Sequence, residues 1–273
     1  MATGVFNGAK LYYEEAGSGE PLVMVHGSWT DHHSWGQVAP RLSEHFRVIT
    51  YDRRGHSQSE RPATQGSVHE DAADLAAVIE GLGPAPAHVV ANSYGSVIAL
   101  RLASQRPGLF RTLWVHEPPA LGLLESDPSA ASLLAESGER IRAVAEMLNA
   151  GDMEGGARQF AETIALGPGA WDEQLPPEAR QTFINNAPTW LDETRDPDAL
   201  TLDTTALARF SRAVMLSTGT ESPPLFGPVI ARLAEVLPGA QKRTFQGAGH
   251  IPHQTHPDEF VDAVTQFIGG APS

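Results

Sequence analysis

Ser93 stands in the most telling chemical surroundings of the chain. The apolar run His88–Asn92 leads into it and a helix-like stretch leaves from Gly95, which puts the serine at a strand-to-helix corner. A hydroxyl held at such a corner is lifted clear of the sheet edge. Small residues two before and two after let strand and helix approach. Here they are Ala91 and Gly95, one residue away from the pattern G-x-S-x-G. A serine hydroxyl is a weak nucleophile until a neighbouring base takes its proton, so the site requires a histidine. His250 follows the strand-like Arg243–Gln246 in a Gly247-Ala248-Gly249 loop that frees a side chain, with His253 and His256 as rivals. Upstream, His26-Gly27-Ser28 ends another apolar run. These three segments in this order make a hydrolase the leading reading.

The elements needed to position these residues are also present. Asn7-Gly8 predicts a hairpin over residues 5–16. Apolar runs follow at Pro21–His26, Phe46–Asp52, Ala87–Ser93, Arg111–Glu117, Ala213–Gly219 and Gln241–Gln246. Most are continuous rather than alternating, as expected of parallel strands buried on both faces. Helical patterns lie between them at Glu70–Gly81, Ser96–Gln105, Leu225–Leu237 and Asp258–Ile268. The alternation predicts an α/β fold with a mostly parallel, doubly wound sheet. Ligands in such sheets bind outside the carboxyl ends of the strands, the end at which Ser93 falls. Between Pro118 and about Leu207 the alternation stops. The span has helical pieces at Ala131–Asn149, Gly155–Ile164 and Pro177–Ile184, no convincing strand, and the aromatics Phe160, Trp171, Phe183 and Trp190. Residues 1–117 and 208–273 therefore read as a core domain, and 118–207 as an inserted helical lid.

Bulk properties narrow the classes. A chain of 273 residues can bury a large core, alone or with an insertion. Its net charge of −14, with no basic run longer than Arg53-Arg54 or Lys242-Arg243, argues against a nucleic-acid partner. The absence of cysteine excludes disulfides, thiolate metal sites and cysteine nucleophiles. No H-E-x-x-H pattern supports a metal among the terminal histidines. His32 and His33 read as solvated loop residues, and His26, His56, His88 and His116 as ordinary packing. With no signal-like start or bilayer-length apolar run, the expectation is a soluble, cytoplasmic protein with no membrane partner.

Taken together, His26-Gly27, the segment Tyr51–Ser59, the corner at Ser93 and Gly249-His250 resemble the α/β-hydrolase fold superfamily over nearly the whole length. Asp52-Arg53-Arg54-Gly55 is similar to that family's D-x-R-G-x-G-x-S turn, with Ser57 where the second glycine normally stands; the turn is structural in the family and is assigned no catalysis. The resemblance implies an oxyanion hole made by the backbone N–H of Tyr94, after the nucleophile, and of Ser28, or of Trp29 if the register is one off. Trp29 is otherwise expected as an apolar wall of the substrate pocket, with Trp171 and Trp190 of the lid. The acid departs from the commonest family pattern, an aspartate three residues after a glycine ending the seventh strand. Here the run is Gly219-Thr220-Glu221-Ser222, which puts a serine in that slot. Glu117 is the expected acid, because it ends a strand beside that of Ser93. His116-Glu117-Pro118-Pro119 also resembles the haloalkane dehalogenases and zearalenone-type lactonases, which place a glutamate there. Glu221 is the alternative.

The expectation is a cofactor-free serine hydrolase with no metal, acting on a small carboxylic ester or lactone of apolar character. Carbon–carbon bond hydrolysis, haloperoxidase-like chemistry and a non-catalytic ligand-binding role on the same fold are the alternatives. The serine at position 93 argues against haloalkane dehalogenases and epoxide hydrolases, which use an aspartate there.

Overall fold

The computed structural model describes residues 1–83 and 85–271. The chain opens on a hairpin, β1 (Ala2–Phe6) and β2 (Ala9–Ala16). Its turn residues Asn7 and Gly8 have φ of 47° and 78°, the left-handed pair that a two-residue hairpin turn requires. Then follow β3 (Pro21–Val25), β4 (Arg47–Tyr51), β5 (Ala87–Asn92), β6 (Phe110–His116), β7 (Ala213–Gly219) and β8 (Gln241–Phe245). The eight strands lie in the order β1-β2-β4-β3-β5-β6-β7-β8. β2 pairs antiparallel with β1 and β4, and the remaining pairs are parallel. β3 and β5 are buried at every residue, which is why their sequences are continuously apolar.

Helices cover both faces. α1 (Val68–Leu82), α2 (Tyr94–Gln105) and, later in the chain, the helix Phe226–Val236 pack on one side. The final helix, Pro257–Gly269, packs on the other beside Trp35, Val38 and Leu42. α1 begins earlier than its apolar periodicity predicts because Ser67 caps it, accepting from the Glu70 N–H.

Residues 118–207, between β6 and β7, contain helices and no strand. They are α3 (Ala131–Asn149), α4 (Met153–Phe160) running into one turn of π-helix (Ala161–Ala165), and α5 (Pro177–Arg195), with shorter turns between. The helices Phe226–Val236 and Pro257–Gly269 are α6 and α7. Within this span, two helices differ from the sequence expectation. The piece read as Gly155–Ile164 changes from α- to π-helix after Phe160. The helix read as ending at Ile184 continues through Pro188 to Arg195. A proline inside a helix removes one N–H and crowds the carbonyl four residues back. Anchoring along the buried face by Phe183, Asn186, Ala187, Thr189, Trp190 and Glu193 carries the helix past it. The apolar side chains of this span pack together around Trp29, which reaches into them from the loop after β3.

Candidate active site

The corner at Ser93 follows from its neighbours. β5 ends at Asn92, and Ser93 takes φ 55°, ψ −127° before α2 starts at Tyr94. This is a strained backbone for a non-glycine residue, of the kind that persists only where the surroundings enforce it. Here they do. A Cβ at Gly95 would lie 2.5 Å from the carbonyl oxygens of Val25 and His26, and one at Gly27 would lie 2.8 Å from the Ser93 Cβ. Ser93 also donates its N–H to the His116 carbonyl at 2.9 Å, tying the corner to the adjacent strand end.

His250 and Glu117 meet beside it. Glu117 follows β6 with φ 47° and is fully buried. One carboxylate oxygen accepts from the Gly219 N–H and the Thr218 hydroxyl, each at 2.8 Å, and the other faces His250 Nδ1 at 2.7 Å. Burial pushes this carboxyl up, but the neighbouring His116 and His250, with the hydrogen bond from His250, overcome it and hold it at about 2. Burial in turn holds His116 low, at about 4. An ionised carboxylate at Nδ1 makes that nitrogen the N–H of the imidazole and leaves Nε2 as its base. The ring is fixed by Phe226, stacked on it at 4.3 Å and 11°, and its backbone by the Asn92 side-chain amide, which donates to the His250 carbonyl at 3.0 Å.

The rivals lie elsewhere. Glu221 is exposed, and its backbone N–H donates to the Ala248 carbonyl. His253 is buried against Trp35, with Nε2 at 3.0 Å from the Ser34 hydroxyl. His256 Nδ1 lies 2.9 Å from the neighbouring Thr255 hydroxyl in an exposed contact.

Two cavities, of about 440 and 470 Å³, open from the serine. Their walls share Ser28, Ser93, Phe160, Ala165 and His250. The first has an aliphatic wall of Leu134, Ile141, Ile164 and Leu200 with Glu125, Arg140 and Asp196 at its polar edge, and the second, somewhat more polar, adds Asp31, Ser34, Gln37 and Gln254 to Leu175 and Phe183. Ser93 and His250 face both without a hydrogen bond between them, a contact that often tightens only around substrate. Among the described residues, the N–H groups of Ser28 and Tyr94 have no hydrogen-bond acceptor. Trp190 lines the aliphatic cavity. Trp29 and Trp171 do not line either cavity, contrary to the sequence expectation. Trp29 is fully buried, stacked on Phe160 at 4.8 Å and Phe183 at 6.0 Å, and Trp171 packs edge-on against Phe183. Their ring area is spent on the helical cluster.

Residues 22–263 match the model of the alpha/beta hydrolase family. The chain belongs to that family. It is 34% identical over 124 residues to the uncharacterized hydrolase YraK of Bacillus subtilis, a match covering 44% of this chain and 45% of that protein. It is 33% identical over 111 residues to a soluble epoxide hydrolase of Corynebacterium, covering 41% and 39%. The matches thus span less than half the length of these relatives. In fold it is similar to the enol-lactonase of Burkholderia xenovorans, with a TM-score of 0.81 at 20% identity over 98% of this chain and all of the other. No helix among the described residues of this alpha/beta hydrolase is long and apolar enough to cross a membrane.

Sequence reasoning left other neighbours of the site unnoticed. Arg53, in the turn after β4, is almost fully buried and donates to Asp71 and Glu193 at 2.9 Å each and to the Gly27 carbonyl at 3.2 Å. Glu193 also accepts from the Ser28 hydroxyl. Ser57, standing where the family's turn has glycine, takes φ 41°, the left-handed region that glycine favours. His32 is buried, with Nδ1 2.6 Å from Asp52, so only His33 of that pair is solvated as expected. The buried Arg53 was visible as a charge inside a tight turn. Nothing in the sequence pointed to Glu193, because the helix that carries it was expected to end before Pro188.

Proposed function

We propose that this alpha/beta hydrolase cleaves carboxylic esters or lactones through an acyl-serine intermediate. The observation that carries this reading is the buried Glu117 carboxylate on His250 Nδ1 at 2.7 Å, beside a strained serine and two unengaged backbone amides. In the proposed cycle, His250 Nε2 takes the proton of Ser93 as its hydroxyl oxygen attacks the carbonyl carbon. The resulting oxyanion receives hydrogen bonds from the Ser28 and Tyr94 N–H groups, where each such donor contributes roughly 10²–10³ to the rate. Collapse of the tetrahedral adduct expels the alkoxide, which His250 protonates. Water then repeats the sequence on the acyl-serine and releases the acid. Glu117 stays ionised throughout, holding the imidazole tautomer and stabilising its charged form.

The helices of 118–207 act in this proposal as a lid, with Phe160, Trp190 and the π-turn over the serine. The two cavities support a substrate whose scissile carbonyl sits at their junction, with an apolar group in the aliphatic arm. An epoxide hydrolase is among the relatives, but the nucleophile position here is a serine, which favours acyl transfer over epoxide opening. Multiple turnover of a short-chain p-nitrophenyl ester, with an ester, lactone and diketone panel to rank substrates, tests the reading. Binding without turnover across the panel would favour a non-catalytic role.

A further inference from the structure

We infer that Glu193 and Arg53 are positioning residues for the oxyanion hole, holding the two backbone segments that supply its donors; this rests on the acyl-serine reading. The hole is built from two separate pieces of chain, the loop at Ser28 and the corner at Tyr94. Arg53 touches both. Its guanidinium donates to the Gly27 carbonyl at 3.2 Å and lies over the Tyr94 ring at 4.8 Å. Glu193 takes the Ser28 hydroxyl with one carboxylate oxygen and Arg53 Nη2, at 2.9 Å, with the other. The same face of α5 holds the next two residues of the loop. Asn186, two helical turns before Glu193, donates its side-chain amide to the Trp29 carbonyl at 3.2 Å and to the Thr30 carbonyl at 3.1 Å.

Three consecutive loop residues are thus gripped by one helix. The loop needs this, because Trp29 has φ 67°, a left-handed conformation costly for an aromatic residue. A paired buried charge is a poor source of net stability, because desolvation offsets the attraction. Arg53 and Asp71 also bear on whether a carboxylate can sit here. An isolated anion beside the hole would oppose the developing oxyanion, whereas Glu193 is ion-paired with Arg53, which also pairs with Asp71. α5 reaches Ser28 only because it continues through Pro188, so residues 118–207 contribute to the hole itself as well as to the walls around it.

The test compares wild type with Glu193→Ala, Ser28→Ala and the double variant. Each is assayed for kcat and KM on a p-nitrophenyl ester, for inhibition by an arylboronic acid that forms a tetrahedral adduct on the serine, and for Tm. Glu193→Ala should lower kcat by roughly tenfold or more, a fraction of a whole oxyanion donor. KM should stay within about twofold while boronate affinity falls in step with kcat/KM. Ser28→Ala, which disturbs no charge and keeps the proposal testable if Glu193→Ala fails to fold, should act in the same direction. In the double variant the losses should fall well short of multiplying, because both remove one contact. Glu193→Gln, which keeps an acceptor for Ser28, should recover most of the activity. Unchanged kcat in Ser28→Ala, or a Glu193→Ala that loses Tm while kcat and boronate affinity hold, would overturn the proposal. A wild type that neither turns over esters nor binds the boronate would instead overturn the acyl-serine reading beneath it.

Discussion

The two sides of Ser93 are built differently. On the His250 side, the hydrogen bonds come from the ends of neighbouring strands: Asn92 from β5, Glu117 just after β6, and Thr218 and Gly219 from β7, with Phe226 of α6 stacked on the ring. On the Ser28 side, the loop is held chiefly by α5, a helix 165 residues further along the chain at Glu193, together with Arg53 from the turn after β4. A parallel sheet aligns its strand ends automatically, so residues at those ends are neighbours whatever else the chain does. A helix inserted between strands finds its place only through packing. The comparison separates a side whose geometry follows from topology from one whose geometry follows from side-chain contacts.

The sharpest way to break the comparison is on the strand side. Glu117→Gln should lower kcat by about 10⁴, because the amide favours the wrong imidazole tautomer. Glu221→Gln, whose parent carboxylate is exposed, should leave kcat within about twofold under saturating substrate. A large loss only at Glu221 would reassign the acid.

On the helical side, the two tryptophans of 118–207 should part company. Trp171→Ala empties a fully buried site and should cost about 3–5 kcal/mol of stability, read by denaturant unfolding, with KM little changed. Trp190→Ala enlarges the aliphatic cavity and should shift KM and acyl-chain preference as well. Equal kinetic effects from both would mean that the cluster moves as one body with the site.

Acid should weaken the strand side. The Glu117 carboxyl, ordinarily near 4.5, is held at about 2 in the folded protein. Its contribution is therefore complete above about pH 4.5 and lost as pH falls toward 2, roughly 3 kcal/mol in all. Burial holds His116 at about 4, so the unfolded chain takes up that proton first and stability begins to fall below about pH 6.5. The Tm gap between wild type and Glu117→Gln should narrow from pH 5 to pH 3. A constant gap would show that Glu117 is not ionised by its partners.

The same division explains what could be read from the sequence. The strands, their mostly parallel arrangement and the corner at Ser93 follow from apolar runs and glycine spacing, and Glu117 and His250 fall where strand ends must converge. The other side offers no such regularity. Glu193 lies beyond Ile184, where the helical pattern reads as ending, and its partners Ser28 and Arg53 carry no mark linking them to it. The aromatics of the insertion reveal burial but not direction, since Trp29 and Trp171 satisfy the same pattern by stacking among themselves as they would by facing a ligand.

The most direct measurement is covalent labelling of Ser93 with a serine-directed phosphonate, followed by peptide mass spectrometry and ester assays of wild type and Ser93→Ala. One adduct per chain on the peptide holding Ser93 is expected, with loss of activity in step with labelling. Ser93→Ala should keep the wild-type fold and drop turnover to the residual that binding and the hole supply, roughly 10³–10⁴ above water. Near-wild-type turnover by Ser93→Ala, or an active enzyme labelled at another residue, would contradict the acyl-serine mechanism.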